Sequence, residues 1–241
     1  MNKYQKMAKI KFDGRFRGKD YTHHAYPGAW VYGKLYVEKY HYIVDDTGCA
    51  FIVPYEYLKK VADLIHHYLP QVTSIGGYAR VDNVKNKTVE QLKDLAEEGY
   101  SNFYFGNESG DDFLLERMNK GYKAEDIVRH MSKLDEAGMP YILNFLGGLG
   151  GRGYGLSHAQ KSAEIINRLH PTMVYASELT LFPDTPLSQD VKEGLFEDAT
   201  EEERLVEMKE FIRCLAIPTV FKAEHVTIPV PIRGRLPEDK E

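Results

Sequence analysis

From about residue 41 the chain repeats one pattern: a short run of strand formers, a turn carrying Gly, Asp or Asn, then apolar residues at helical spacing. Tyr42-Ile43-Val44 runs into Asp45-Asp46-Thr47-Gly48, and Pro54 opens a stretch with Leu58, Val61, Leu64 and Ile65 in helical register. A strand at 72–75 leads into Gly76-Gly77-Tyr78-Ala79-Arg80. Thr88 and Gln91 have the spacing of a capping box, Leu92 and Leu95 follow, and Gly99 stops that helix. Residues 102–106 read as a strand running into Asn107-Glu108-Ser109-Gly110. Helices are expected at 113–118, closed by Gly121, and at 124–137, closed by Gly138. The strand at 141–146 enters Gly147-Gly148-Leu149-Gly150-Gly151, and Ser157 is placed to cap the helix through Ile166. A strand from Met173 reaches Phe182, 201–215 is an amphipathic helix, and 220–232 reads as an extended, proline-broken tail.

Strand followed by helix at least five times implies a parallel sheet with helical crossovers, because parallel neighbours need a long return connection. The strands are too few for a closed eight-stranded barrel. The predicted fold is therefore α/β: a partial, open TIM-like (β/α)6 barrel of parallel strands. Residues 1–40 sustain no period, with a strand expected only around 30–37. They read as an atypical N-terminal segment ahead of one domain at 41–241.

Composition narrows the partners. Lys plus Arg is 31 against 36 Asp plus Glu, a net charge of −5, which argues against a general nucleic-acid binder. No run of about 18 apolar residues is present, so no membrane span is expected. The first residues carry no apolar secretory stretch, and two cysteines exclude a disulfide scaffold, so the cytoplasm is the expected compartment.

In parallel β/α sheets ligands bind beyond the carboxyl ends of the strands. Those ends supply Asp45, Asp46 and Gly48; Gly76, Tyr78 and Arg80; Asn107, Glu108 and Ser109; Gly147 to Gly151; and Thr185. The mixture suits a small polar ligand with amino, carboxylate and hydroxyl groups. Glu108 is the leading candidate, with Arg80 expected as its cationic partner; the alternatives are a structural ion pair or a helix cap. The glycine cluster permits close backbone approach, or is a plain loop before the next helix. The histidines show no metal-binding spacing and no metal site is expected; Cys49 reads as a small buried residue.

The segment Glu108-Ser109-Gly110-Asp111-Asp112-Phe113-Leu114-Leu115-Glu116-Arg117-Met118-Asn119-Lys120-Gly121 resembles the corresponding segment of radical S-adenosylmethionine (radical SAM) proteins, in the elongator-like and coproporphyrinogen-oxidase-like branch. Ala124-Glu125-Asp126, Ala137-Gly138-Met139, the glycine cluster, the run from Leu179 to Leu187 and the close from Gly234 to Lys240 continue the resemblance in order. It implies a 4Fe–4S cluster and reductive cleavage of S-adenosylmethionine, an oxidoreductase-type chemistry on an unknown substrate. On this resemblance Asp46, Thr47 and Gly48 would meet the methionine amino group, and Glu108 the ribose or aminocarboxylate. The stretch from Leu143 to Gly148, with Asn144 and Gly147, would lie along the adenine. Pro183 to Thr185 would close that side, with Asp184 where the family has glycine.

The family holds its cluster with CxxxCxxC, and this chain has only Cys49 and Cys214. The expectation is a radical SAM-type protein that binds S-adenosylmethionine while its own chain lacks the cluster ligands. The alternative is a non-catalytic binding or scaffold module on the same fold. Elongator-like relatives make a nucleic-acid-modifying protein a third, weaker option, against which the net charge speaks. Neither substrate nor oligomeric state is legible.

Overall fold

The strand at 103–108 shows how the sequence builds this molecule. Phe103, Phe105 and Asn107 are buried, while Tyr104, Gly106 and Glu108 are half-exposed on the other face. Alternation of this kind puts one face against helices and leaves the other lining a concavity. The computed structural model describes residues 50–240 and, ahead of them, the backbone of Arg15–Phe16, Lys19–Asp20 and His41–Val44. Arg15–Phe16 and Lys19–Asp20 form a small antiparallel rung.

The main sheet runs in chain order: β1 (His41–Val44), β2 (Ser74–Ala79), β3 (Phe103–Glu108), β4 (Tyr141–Gly147), β5 (Met173–Glu178), β6 (Thr219–Ala223) and β7 (Ile232–Leu236). The first six are parallel, each paired with the next, and β7 returns antiparallel to β6. The order does not close on itself among the described residues, so the sheet is an open, partial barrel, as the strand count requires.

Helices return the chain between strands: α1 (Tyr55–Tyr68), α2 (Val89–Glu97), α3 (Asp112–Arg117), α4 (Ala124–Ala137), α5 (Gly155–Ile166), α6 (Pro186–Lys192) and α7 (Glu201–Cys214). Their limits follow local chemistry. The Pro54 carbonyl accepts from the amides of Tyr57 and Leu58 to open α1. The Thr88–Gln91 capping box forms in both directions. Gly138 takes the left-handed conformation that ends α4. Leu92 and Leu95, Ile127, Met131 and Leu134, Ala159, Ala163 and Ile166, and Met208 and Phe211 are buried from α2, α4, α5 and α7 behind the sheet. Phe145 of β4 stacks on Phe211 at 3.9 Å with 10° between planes. Removing a fully buried phenylalanine of this kind costs about 3–5 kcal/mol.

Four sequence expectations shift. Ser157 lies inside α5, which begins at Gly155 because the first helical bond runs from the His158 amide to the Tyr154 carbonyl. The strand from Met173 ends at Glu178, after which the Leu179 amide makes the last bond, to the Gly147 carbonyl. The tail expected to be extended is two strands, since 219–223 alternates buried and half-buried positions and 232–236 folds back on it. Leu64, expected on the buried face of α1, is 57% exposed; Ala62 takes the buried position. The strand expected around 30–37, Asp45, Asp46, Gly48 and Cys49 lie outside the described residues. No described helix is long and apolar enough to cross a membrane.

Candidate functional site

A cavity of about 360 Å³ opens on the concave face at the carboxyl ends of β2 to β5. That size is at the small end of the range of roughly 300–1,000 Å³ for small-molecule sites. Its polar lining comes from Tyr78 and Arg80 after β2, Glu108 at the end of β3, Lys120 beyond α3, Asn144 on β4, Tyr175 and Ser177 on β5, and His225 after β6. Ala79, Tyr104 and Gly106 complete it.

Glu108 sits at a positive φ of 61°, rare for a residue with a side chain, and this turns the carboxylate back across β3. Gly106 makes that possible: a Cβ there would stand 3.1 Å from Glu108 Oε1. The carboxylate pairs with Lys120, Nζ to Oε2 at 2.8 Å. Lys120 is carried there by the turn through Asn119 and Gly121, both at positive φ. Arg80 does not take the role expected for it. Its Nε meets Asp82 Oδ1 at 3.0 Å, and its guanidinium donates to the Lys120 carbonyl. The 3-10 turn Val81–Val84 brings Asp82 back on Arg80, so the nearer acid captures the guanidinium. Ser177 Oγ donates to Asn144 Oδ1 at 3.3 Å. Burial lifts the Tyr104 phenol to about 12 and raises that of Tyr175, so both stay neutral.

Tyr78, Arg80, Glu108 and Asn144 therefore come together, while Ser109, Gly147, Gly148 and Thr185 lie outside the cavity lining. Each of these four has a local task. Ser109 is fully buried, and its Oγ accepts from the Asp111 amide. Gly110 beside it packs so tightly on α5 that a Cβ would meet the Lys161 carbonyl oxygen and Ser162 Cα at 2.7 Å. Thr185 caps α6 through the Ser188 amide. Gly147 has Glu178 Cγ 3.6 Å from where a Cβ would be. The Gly148 amide donates to Glu207 Oε2 at 2.7 Å, and Glu207 Oε1 lies 2.6 Å from His158 Nδ1, both side chains buried. Arg204, one turn before Glu207, donates to the Leu179 carbonyl and to Asp198. Burial raises the carboxyl of Glu178 although Arg204 stands 3.5 Å away. The glycine cluster thus faces a buried polar clamp from α7.

Lys120, Tyr104, Tyr175, Ser177 and His225 were not singled out in the sequence. Strand parity was the available signal for three of them: Tyr104 shares a face with Glu108, and Tyr175 and Ser177 occupy the same face of β5. For His225 nothing local distinguishes it.

The open, mostly parallel sheet is similar in fold to solved structures that include a radical SAM enzyme. Coproporphyrinogen III oxidase (HemN) from Escherichia coli, described as a radical SAM enzyme, superposes with a TM-score of 0.56 at 14% identity, over 70% of this chain and 38% of that one. Elp3 from the archaeon Methanocaldococcus infernus gives a TM-score of 0.54 at 18% identity, over 73% of this chain and 45% of that one. In sequence, the heme chaperone HemW of Bacillus subtilis (strain 168) is 31% identical over 98 residues, 40% of this chain and 26% of that protein. The chain thus matches about a quarter of that relative's length and less than half of either structure. No family model matches the sequence. The fold inferred from the ordered motifs is the fold observed.

Proposed function

We propose that this chain is a radical SAM-type domain, comprising residues 41–241, that binds S-adenosylmethionine in the cavity. The observation that carries the reading is the meeting of Arg80, Glu108, Lys120 and Asn144 at the ends of three adjacent parallel strands and the turn beyond α3. Two cations and one carboxylate suit a zwitterionic amino acid head: the ammonium against Glu108, the carboxylate against Arg80 or Lys120. The Asn144 amide serves a ribose hydroxyl or a base edge. Asp46 and Gly48 are assigned to the methionine amino group, and Ser109, Gly147, Gly148 and Thr185 shape the rim rather than touch the ligand.

The cluster is a separate matter. Three thiolates are the usual protein ligands, and the chain has two cysteines. Cys214 stands at the C-terminal end of α7, its Sγ 3.5 Å from Glu210 Oε1, and its carbonyl accepts from Asn167 at the end of α5. Helices that return the chain end near where strands begin, so Cys214 lies at the sheet edge opposite the cavity. The residues present do not fit a 4Fe–4S cluster, and reductive cleavage is not assigned to this chain alone. S-adenosylmethionine, when bound, brings a sulfonium and an adenosyl group. Arg80, Glu108 and Lys120 would orient it, and the tyrosines would keep water from one side.

Isothermal calorimetry with S-adenosylmethionine tests the reading. Binding that falls at least about tenfold in Glu108→Gln is expected, since a charge-assisted contact is worth about 1.5–3 kcal/mol. Absence of binding to the wild-type chain rejects it. Anaerobic iron and sulfide reconstitution is expected to leave no 4Fe–4S absorbance; a stable cluster would overturn the ligand argument. The non-catalytic alternative predicts neither cofactor nor iron uptake in a stably folded chain.

A further inference from the structure

The cavity has a second half, whose tyrosines the S-adenosylmethionine reading uses only to exclude water. Tyr104 lies four residues before Glu108 on the same face of β3. Its ring centroid is 5.5 Å from that of Tyr78, at 36°, and 5.9 Å from that of Tyr175, at 84°. Tyr78 of β2, Tyr104 of β3 and Tyr175 of β5 thus form one aromatic wall. Rings in such a wall favour another flat ring, laid offset or edge-on against them.

His225 lines the same cavity, and its proton can be located from its neighbours. The Thr227 Oγ1 accepts from the Glu178 amide at 3.1 Å. Its own proton is then available to His225 Nδ1, 2.8 Å away. The Thr227 amide also donates to Nδ1, at 3.3 Å. A ring nitrogen that receives two donors is an acceptor, so the neutral imidazole carries its proton on Nε2. Burial lowers the basicity of the ring, which keeps it neutral. Because Thr227 also grips β5, the loop after β6 is pinned with the imidazole among the cavity residues.

The donor count decides what such a surface takes. Among the described lining residues Lys120, Asn144 and His225 Nε2–H are donors, and the one carboxylate, Glu108, holds Lys120. Ser177 has spent its proton on Asn144. A ligand oxygen therefore meets side-chain donors on this lining.

We propose that this half of the cavity is a substrate subsite for a planar aromatic group bearing an amide or carboxylate oxygen, with the ring against Tyr104 and Tyr175 and the oxygen accepting from His225 Nε2–H. The inference rests on the cavity being a small-molecule site. It does not need S-adenosylmethionine to occupy the other half.

The probe pair is benzamide and cyclohexanecarboxamide, which share the amide and differ in the ring, titrated by NMR into the 241-residue chain. Benzamide is expected to bind about 3–10-fold tighter, the gain available to an aromatic pair. His225→Phe should weaken benzamide about 5–10-fold, as loss of one hydrogen bond allows, and His225→Gln, which keeps a donor, should recover most of it. Long-range ¹H–¹⁵N spectra of the free wild-type chain should show His225 as the Nε2–H tautomer, and Thr227→Val should give a tautomer mixture. Equal affinity for the two amides, no benzamide binding, unchanged binding in His225→Phe, or an Nδ1–H tautomer would each overturn the proposal. A chain that discriminates the amides but ignores S-adenosylmethionine keeps this inference and rejects the earlier reading; the opposite pattern rejects this one alone.

Discussion

Two polar constellations sit within a few residues of each other at the carboxyl rim of this sheet, and they are built from the same kinds of residue. Behind the rim, His158 and Glu207 have side chains 0% and 1% exposed, and Arg204 is 10% exposed. In front of it, Glu108 is 28% and Arg80 38% exposed. The rear set is nearly saturated by its own fold: Glu207 holds both Gly148 and His158, and Phe145 stacks on His158 at 4.8 Å. The front set lines a cavity. Burial converts polar groups into architecture, because any partner lost there leaves an unsolvated atom. Partial exposure keeps them available for a ligand.

The sharpest way to break this comparison is Glu207→Ala. It leaves the Gly148 amide and His158 Nδ1 without their acceptor, and a destabilisation of about 3–5 kcal/mol is expected by urea unfolding. A loss below about 1 kcal/mol would mean the rear set is not structural.

Lys87 gives the next effect. It is buried, and its Nζ donates to the carbonyls of Phe51 and Asn83. It lies over the Phe51 ring at 4.7 Å, and burial pulls its pKa down to about 8. Below that pH the folded chain must hold an ammonium that the unfolded chain leaves in water. Between about 8 and the ordinary value of 10.5 the unfolded chain binds more protons than the folded one. Stability therefore rises with pH across that window, by an amount on the order of 2 kcal/mol at its upper end. Unfolding midpoints compared at pH 7.5 and 10 should show the rise in the wild type and lose it in Lys87→Met.

The smallest effect belongs to the front set. Glu108→Gln should shift stability by no more than about 0.5 kcal/mol, as for other partly exposed pairs, while removing ligand affinity. A large stability loss there would move Glu108 into the architectural class.

The same contrast explains what could be read in advance. Helix limits such as Thr88, Gly99 and Gly138 were legible because caps are local: a hydroxyl meets an amide three residues on, or a glycine takes a left-handed turn. Ser157 was misread because its hydroxyl looks like a cap wherever it falls, and the packing of Tyr154 on Gly150, with its hydroxyl on Asp111, sets where α5 begins. The serine and glycines of the rim looked like ligand contacts because small residues at a strand end serve close packing equally well. Gly110 against α5 and Gly148 against Arg204 are such packing positions.

By itself the sequence determined the order of strands and helices, the parallel open barrel and the rim on which Glu108 stands, since periodicity and capping act over a few residues. Which cation meets Glu108, which way the glycine loop faces, and that His225 joins a site more than a hundred residues from Tyr104 were decided only by tertiary structure. Those outcomes depend on distances between segments that share no local signal, and only the packed sheet brings them together.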